Sequence, residues 1–152
     1  NRGAICEEPV SLHNGSWLTQ NYPFYPGSMI YETRFKAKSK DVDKKSRRLF
    51  LRLRNPSGTL YRVRVNDQHA GTILWRPYHL DITDFLDSGN NRIEIEVVAS
   101  LHNALGPLHL RRGADAGGGS PREFLTDSIM HDRYSLYDYG LLDGAELVVV
   151  KA

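Results

Sequence analysis

Side chains able to exchange protons, hold a metal or attack a carbonyl are thinly spread along this sequence. Asp81, Asp84 and Asp87 fall at three-residue spacing, which raises the question of a paired carboxylate. Breaking a glycosidic bond needs two carboxyl groups facing it, roughly 5–5.5 Å apart for retention or roughly 6.5–9.5 Å for inversion. Asp81 and Asp84, however, stand where a strand end and a short helical turn need side-chain acceptors, and that structural work accounts for them. Histidines occur at positions 13, 69, 79, 102, 109 and 131, with no pair at metal-ligand spacing on a recognisable helix. Isolated histidines on strands and loops are usually solvated or hydrogen-bonded. The patterns G-x-S-x-G, G-x-x-x-x-G-K-[ST], H-E-x-x-H and a post-strand G-x-G-x-x-G are all missing. Cys6 is the single cysteine, so neither an intrachain disulfide nor a multi-cysteine zinc site can form, and the redox compartment stays open. We therefore expect no catalytic residue, no metal site and no independent enzyme activity.

Residues suited to recognition are better represented. Trp17, Tyr22, Phe24 and Tyr25 cluster in a proline-bracketed stretch, and Trp75-Arg76-Pro77-Tyr78 forms a second cluster. A pyranose needs an aromatic face for its apolar side and convergent polar groups for its hydroxyls. If the two loops meet at one end of the fold, they could build such a platform, with Arg76, His102 and Asn103 as bonding partners. The plainer reading is that large aromatics beside prolines close the end of a core or pack on a neighbouring domain. Arginines offer a rival: Arg48, Arg52, Arg54, Arg62 and Arg64 alternate onto polar strand faces and could meet an acidic polysaccharide or nucleic acid. Glu94 and Glu96 share that alternation on a third strand, so cross-strand Arg–Glu ladders are the simpler account. Residues 36–48 carry seven basic side chains, a density more typical of a solvated hairpin loop. No RNA-module signature is present, and nucleic acid is not an expected partner. Asn14-Gly15-Ser16 fits the N-glycosylation tripeptide, which matters only if a eukaryote secretes the chain.

The elements that must position these residues have a period of two. Residues 48–54 place leucines on one face and arginines on the other, residues 61–65 repeat the pattern, and Ile93-Glu94-Ile95-Glu96-Val97 does so again. One buried and one polar face per strand indicates antiparallel sheets rather than a parallel α/β core. Further strands are expected at 28–36, 71–74, 78–82 and 146–151. They are separated by turn chemistry at Asn55-Pro56-Ser57-Gly58, Asn66-Asp67 and Asp87-Ser88-Gly89-Asn90-Asn91. Asn66 and Asp67 tolerate the left-handed region that a tight hairpin demands. Asp81, Thr83 and Asn91 can bond nearby backbone groups, with Thr83 as the N-cap of a turn at 83–86. A second short helix is expected at 121–130, and a flexible loop at about 111–121 around Gly117-Gly118-Gly119. The 152 residues suit one domain and are too few for a (β/α)₈ barrel. A net charge of +2 gives no general pull toward a polyanion, and no stretch approaches the ~20 apolar residues of a membrane helix. The start at Asn1, without Met or an apolar leader, suggests a piece excised from a longer chain.

Three stretches taken in order carry a resemblance: Val63 to Gly71, Trp75 to Thr83, and Gly89 to Val97. They resemble the V-x-V-N-G turn, the P-Y-x-x-D-I-T segment and the G-x-N-x-I-x-I-x-V strand of the sugar-binding domains of glycoside hydrolase family 2 and rhamnosidase-type enzymes. Tyr22 to Gly27 before Tyr31, Asn103 with Gly106-Pro107, and Tyr134 to Leu141 fit the rhamnosidase-like relatives. Asp67 departs from the pattern by replacing the turn glycine, so a retained but slightly strained turn is expected. The resemblance implies an all-β, galactose-binding-domain-like jelly-roll β-sandwich of two antiparallel sheets, spanning 1–152 as a single domain of a larger enzyme. It further implies a non-catalytic accessory role, with the catalytic acids on another domain. Expected partners are carbohydrate, bound weakly through Trp17, Tyr22, Tyr25, Trp75, Arg76, Tyr78, His102 and Asn103, and neighbouring domains of the parent enzyme. A purely structural interdomain scaffold is the alternative. No cofactor is expected: calcium occurs in some such folds, but no D-x-[DN]-x-[DN]-G loop is present here. The same resemblance implies a periplasmic or extracellular location, no membrane partner and a monomer in isolation.

Overall fold

The computed structural model describes residues 9, 11–40, 42–106, 108–109 and 132–151. Cys6, His131, the glycine-rich loop and the helix expected at 121–130 lie outside them. Among the described residues there are nine strands: β1 Ser28–Ala37, β2 Arg47–Leu53, β3 Pro56–Ser57, β4 Leu60–Val65, β5 Gln68–Ile73, β6 His79–Asp81, β7 Gly89–Val98, β8 Gly140–Leu141 and β9 Ala145–Lys151. Helix among the described residues is confined to single turns: 3-10 turns at Trp17–Gln20 and Thr83–Phe85, and α1 at His102–Leu105. No described helix is long and apolar enough to cross a membrane.

Pairing is antiparallel throughout, in a four-stranded sheet β1-β7-β4-β5, a three-stranded sheet β6-β2-β9 and a small ladder β3-β8. The fold is all-β and has the character of a sandwich. The alternation explains why: Leu49, Leu51 and Leu53 of β2 share one buried cluster with Tyr61, Val63 and Val65 of β4 and Ile93, Ile95 and Val97 of β7. An apolar side chain of this size contributes about 1.5–3 kcal/mol when fully buried, so these nine positions dominate the drive to close the sheets.

The outward positions carry the charges. Arg62 lies opposite Glu96, and Arg64 opposite Glu94, with ion pairs of 2.9 and 3.5 Å. On the other sheet Arg48 meets Asp81 at 2.7 Å, while Arg52 and Arg54 reach Glu146 at 3.1 and 3.8 Å. Between β1 and β7 the register sets like charges face to face, Arg34 against Arg92 and Glu32 against Glu94. A diagonal pair of Arg92 with Glu32 at 3.8 Å and a same-strand pair of Arg92 with Glu94 at 3.7 Å relieve that repulsion. Each exposed pair adds only about 0.2–1 kcal/mol, but together they spend the arginines' charge within the sheets.

The end of the sandwich at the β4–β5 hairpin is closed by side-chain amides. Asn66 and Asp67 both adopt positive φ, 48° and 66°, the requirement of a two-residue type I′ hairpin turn. Asp67 stays in place through the Arg64 guanidinium, which donates to its carbonyl at 2.7 Å, and an ion pair with Arg92. Strand β5 begins at Gln68, earlier than the expected 71, because this turn closes at once and a bulge beside Val63 absorbs the extra residue. Asn91 is the hub: 2% exposed, it accepts from the Asp87 N–H and the Asn66 amide, both at 2.8 Å, and donates to the Asp87 and Gly89 carbonyls at 2.8 and 3.0 Å. Asn66 completes the link by donating to the Phe85 carbonyl at 3.0 Å and accepting from the Arg92 N–H at 2.9 Å.

Thr83 corrects the sequence reading in one respect. It is the first residue of its 3-10 turn rather than the cap, and the Ile82 cap position supplies no side-chain hydrogen bond. The 1% exposed Thr83 hydroxyl instead accepts from the Leu49 N–H at 2.8 Å and lies 2.5 Å from an Asp81 carboxylate oxygen. The hydroxyl is needed where the turn docks on β2, a tertiary demand that outranks a local cap. Burial pushes the Asp81 carboxyl up, but the Thr83 hydroxyl, the Thr83 N–H and Arg48 together hold it below the usual carboxylate range. On Glu96, the Ser28 hydroxyl followed by Arg62 has the same lowering effect.

Two outcomes follow from these contacts. Removing the hub with Asn91→Ala deletes four hydrogen bonds and leaves buried partners unsatisfied, so unfolding free energy should fall by about 3 kcal/mol in urea titration; a loss under about 1 kcal/mol would contradict the hub role. Because the folded Asp81 carboxyl is held low, its contribution is present above the usual carboxylate range and disappears as pH falls through that depressed value. Asp81→Asn should therefore be less stable than the parent at pH 7, with the gap closing below about pH 4; a gap independent of pH would sink the assignment.

Candidate functional site

Both aromatic clusters occupy the sandwich end opposite the Asn91 hub. The register requires this: Ser28 and Leu60 both pair with Val98, and Tyr61 pairs with Ile73, so the chain before β1 and the chain after β5 emerge together. Their side chains nevertheless have different fates.

Trp17 is only 1% exposed and belongs to the core. Its indole N–H donates to the Tyr31 hydroxyl at 2.8 Å, and its ring packs against Tyr25 and Tyr139 with centroids 6.0 and 6.1 Å apart. Burial raises the Tyr31 hydroxyl pKa, and the indole hydrogen bond opposes that shift. Gly140, at φ +132°, lets the chain pass: a Cβ there would lie 2.5 Å from the Gly15 carbonyl oxygen and 3.0 Å from the indole nitrogen. Trp17 therefore cannot offer a face to a ligand without opening the core. Tyr22 sits half-buried against this core, its ring 5.9 Å from that of Tyr25. Tyr25 is exposed, with its hydroxyl donating to the Ser28 carbonyl at 3.0 Å.

His102 and Asn103 are also spoken for. Asn103, 1% exposed, donates to the Tyr137 carbonyl and accepts from the Tyr137 N–H, both at 2.8 Å. His102 lies edge-on to the Tyr137 ring at 4.2 Å, with Nε2 3.2 Å from the Ser135 carbonyl oxygen. The two residues pin the returning segment before β8 onto α1. That use needs the same amide and imidazole groups a sugar would need, so residue type alone could not separate the roles.

The β5–β6 connection is different. Trp75 is 72% exposed and packs on no described ring. Beside it, the Arg76 guanidinium lies 5.9 Å from the centroid of the Tyr78 ring, a distance that permits cation–π attraction. Tyr78 is half-buried, its ring 5.8 Å from that of core residue Tyr61, and its carbonyl accepts from the Leu53 N–H at 2.9 Å. Tyr61 has its pKa pushed up to about 12 by burial, with Tyr78 adding to the effect, so it stays neutral beneath this loop. Two shallow grooves meet at Arg76, Pro77 and His79. One, of about 290 Å³, runs along Thr72 to Trp75 and Leu80, and the other, of about 420 Å³, reaches Arg52, Leu53 and Tyr78. Of the residues singled out for carbohydrate contact, the structure thus brings Trp75, Arg76 and Tyr78 together at a solvent-facing groove. Arg52 and His79 join them, although sequence reasoning placed neither there; the pairing of Arg52 with His79 across β2 and β6 supplies them.

Among the described residues no such arrangement of acids appears. Asp81 is tied to Thr83 and Arg48, Asp84 pairs with Lys44 at 3.4 Å, and Asp87 lies within the Asn66–Asn91 network. Among the described residues no three His, Cys, Asp or Glu side chains converge as metal ligands.

Comparison with known proteins places this geometry in context. No protein-family model matches the chain, and no curated protein does. Among solved structures, a rhamnosidase from Novosphingobium sp. PP1Y matches 84% of this chain over 11% of its own, at 26% identity and a TM-score of 0.60. A β-glucuronidase from Bifidobacterium dentium, solved with coumarin-3-O-glucuronide, matches 62% of this chain over 16% of its own, at 25% identity and a TM-score of 0.50. An FMN-binding β-glucuronidase from Faecalibacterium prausnitzii L2-6 shares the fold over 97% of this chain and 20% of its own, at 20% identity and a TM-score of 0.53. The chain spans between a tenth and a fifth of the length of these three proteins, and it is related to a domain that glycoside hydrolases carry.

Proposed function

We propose that this chain is a non-catalytic, galactose-binding-like accessory domain of a glycoside hydrolase that binds carbohydrate weakly through the groove at Trp75, Arg76 and Tyr78. The observation that carries the proposal is the exposed indole of Trp75 at a groove mouth, next to an arginine with unspent donors. An aromatic face takes the apolar side of a pyranose, and neighbouring polar groups orient its hydroxyls. The grooves are open and shallow, so little sugar surface is covered and the affinity is low. Catalytic acids belong to another part of the parent enzyme, and Asp81 and Asp84 are committed to a turn and to ion pairs. The same reading carries a periplasmic or extracellular location and a monomeric state for the isolated chain.

A scaffold role is favoured by a separate surface at the same end. Leu105 is 79% exposed on α1 with Leu101 exposed just before it, and Phe24 and Tyr134 are exposed with their rings 5.2 Å apart. Exposed apolar groups of this kind suit burial against a neighbouring domain.

Titration of the chain against a panel of neutral and acidic oligosaccharides, followed by calorimetry or NMR shifts, separates the two. Binding in the millimolar range, reduced at least about ten-fold in Trp75→Ala without a change in melting temperature, is expected, in line with the energetic weight of an exposed aromatic platform. Silence across the panel would remove the carbohydrate role and leave the scaffold.

A further inference from the structure

We propose that the groove at Trp75 selects an acidic saccharide, with the carboxylate of a uronic acid seated on Arg76 and its pyranose ring against the Trp75 indole. The proposal rests on the carbohydrate reading of this same groove and narrows its ligand class.

One cation at this groove is left without an ion pair among the described residues. Arg48, Arg52, Arg54, Arg62, Arg64 and Arg92 each have a carboxylate partner. Arg76 has none among the described residues, and its only described interaction is with the Tyr78 ring. Stacking engages the π-face of a guanidinium and leaves its in-plane N–H groups available, the geometry that grips a carboxylate through two parallel hydrogen bonds. The two grooves that meet at Arg76 add His79 and, on the Tyr78 side, Arg52, and neither contains an acidic side chain. Glu146, 3.1 Å from Arg52, is already shared with Arg54. Local charge is therefore positive beside Trp75, the most exposed of the described aromatic side chains.

A neutral sugar could use the indole but would leave the arginine with neutral hydroxyl acceptors. Hydrogen bonds to a carboxylate are roughly twice as strong as those to neutral oxygen, so the acidic ligand gains where the neutral one does not. A simple inorganic anion could use the arginine but would gain nothing from the indole. Only a ligand with both an apolar ring face and a carboxylate uses the whole groove.

The test is a titration of the 152-residue chain with trigalacturonate, neutral galactotriose and sodium phosphate in parallel. Trp75→Ala, Arg76→Gln and Arg76→Lys are compared with the parent, and thermal melts check that each variant is folded. Trigalacturonate is expected to bind about ten-fold tighter than galactotriose, and to lose about that factor in Arg76→Gln, with partial recovery in Arg76→Lys. Binding should weaken as NaCl rises, because the groove is solvent-exposed. Equal affinity for both trisaccharides with no effect of Arg76→Gln would overturn the acidic selectivity while leaving carbohydrate binding intact. Phosphate displacing trigalacturonate at equal concentration, with Trp75→Ala neutral, would reduce the groove to an anion site and overturn the proposal. Failure of both sugars to bind would remove the carbohydrate reading itself.

Discussion

Leu49, Leu51 and Leu53 on one sheet and Val63, Val65, Ile93, Ile95 and Val97 on the other bury their side chains in a single cluster, and because a strand alternates its faces, the residues between them are forced outward. Apart from Phe50, those outward positions are arginine and glutamate, and they pair across strands or along one strand. With inner faces closed by apolar packing and outer faces closed by charge pairing, new contacts are left to the connections. The Asn66–Asp67 turn and the Trp75 groove lie in connections between strands for that reason, and the Trp17 plug lies in the segment before β1.

The two ends of the sandwich solve the problem of ending a strand differently. At the hairpin end, Asn66 and Asn91 supply amides that satisfy backbone groups no ladder reaches. Buried polar groups are tolerable only when fully bonded, and this network meets that condition. At the other end the ladder ends are covered by rings. Trp17 and Trp75 are the same residue type in neighbouring loops, yet one fills the core under Gly140 and the other faces solvent. The difference lies in what surrounds them: Tyr31, Tyr139 and Gly140 shape a slot for Trp17, whereas the loop of Trp75 leaves the sheet edge with Arg76 and Pro77, and the Trp75 indole itself packs on no described ring. A residue that keeps a large indole in water is spending hydrophobic free energy of about 1.5–3 kcal/mol that burial would have recovered, which is why that loop reads as a recognition surface.

The relation to glycoside hydrolases is consistent with this division of labour. The match to the Novosphingobium rhamnosidase covers most of this chain and about a tenth of that protein, so the chemistry of such enzymes has ample room elsewhere. Here the carboxylates that could have hinted at hydrolysis are held by Thr83, Arg48, Lys44 and the Asn66–Asn91 network.

Alternation by itself determined the strand class, the antiparallel pairing and the core, because a period of two leaves each strand only one face to bury; the Arg62, Arg64, Glu94 and Glu96 ladder followed from the same count. The turn at Asn66 and Asp67 was legible because few residue types accept positive φ at both positions. Local sequence could not tell Trp17 from Trp75, nor a ligand-facing Asn103 from one clamped on Tyr137, since solvent exposure depends on residues far away in the chain. Thr83 shows the same limit: its sequence neighbours suggested a cap, and a hydrogen bond from Leu49, thirty-four positions away, claimed the hydroxyl. Arg52 and His79 joined the groove only through the pairing of β2 with β6. Periodicity is a property of one strand, whereas a site is made by several, and only tertiary packing decides which side chains are left facing water together.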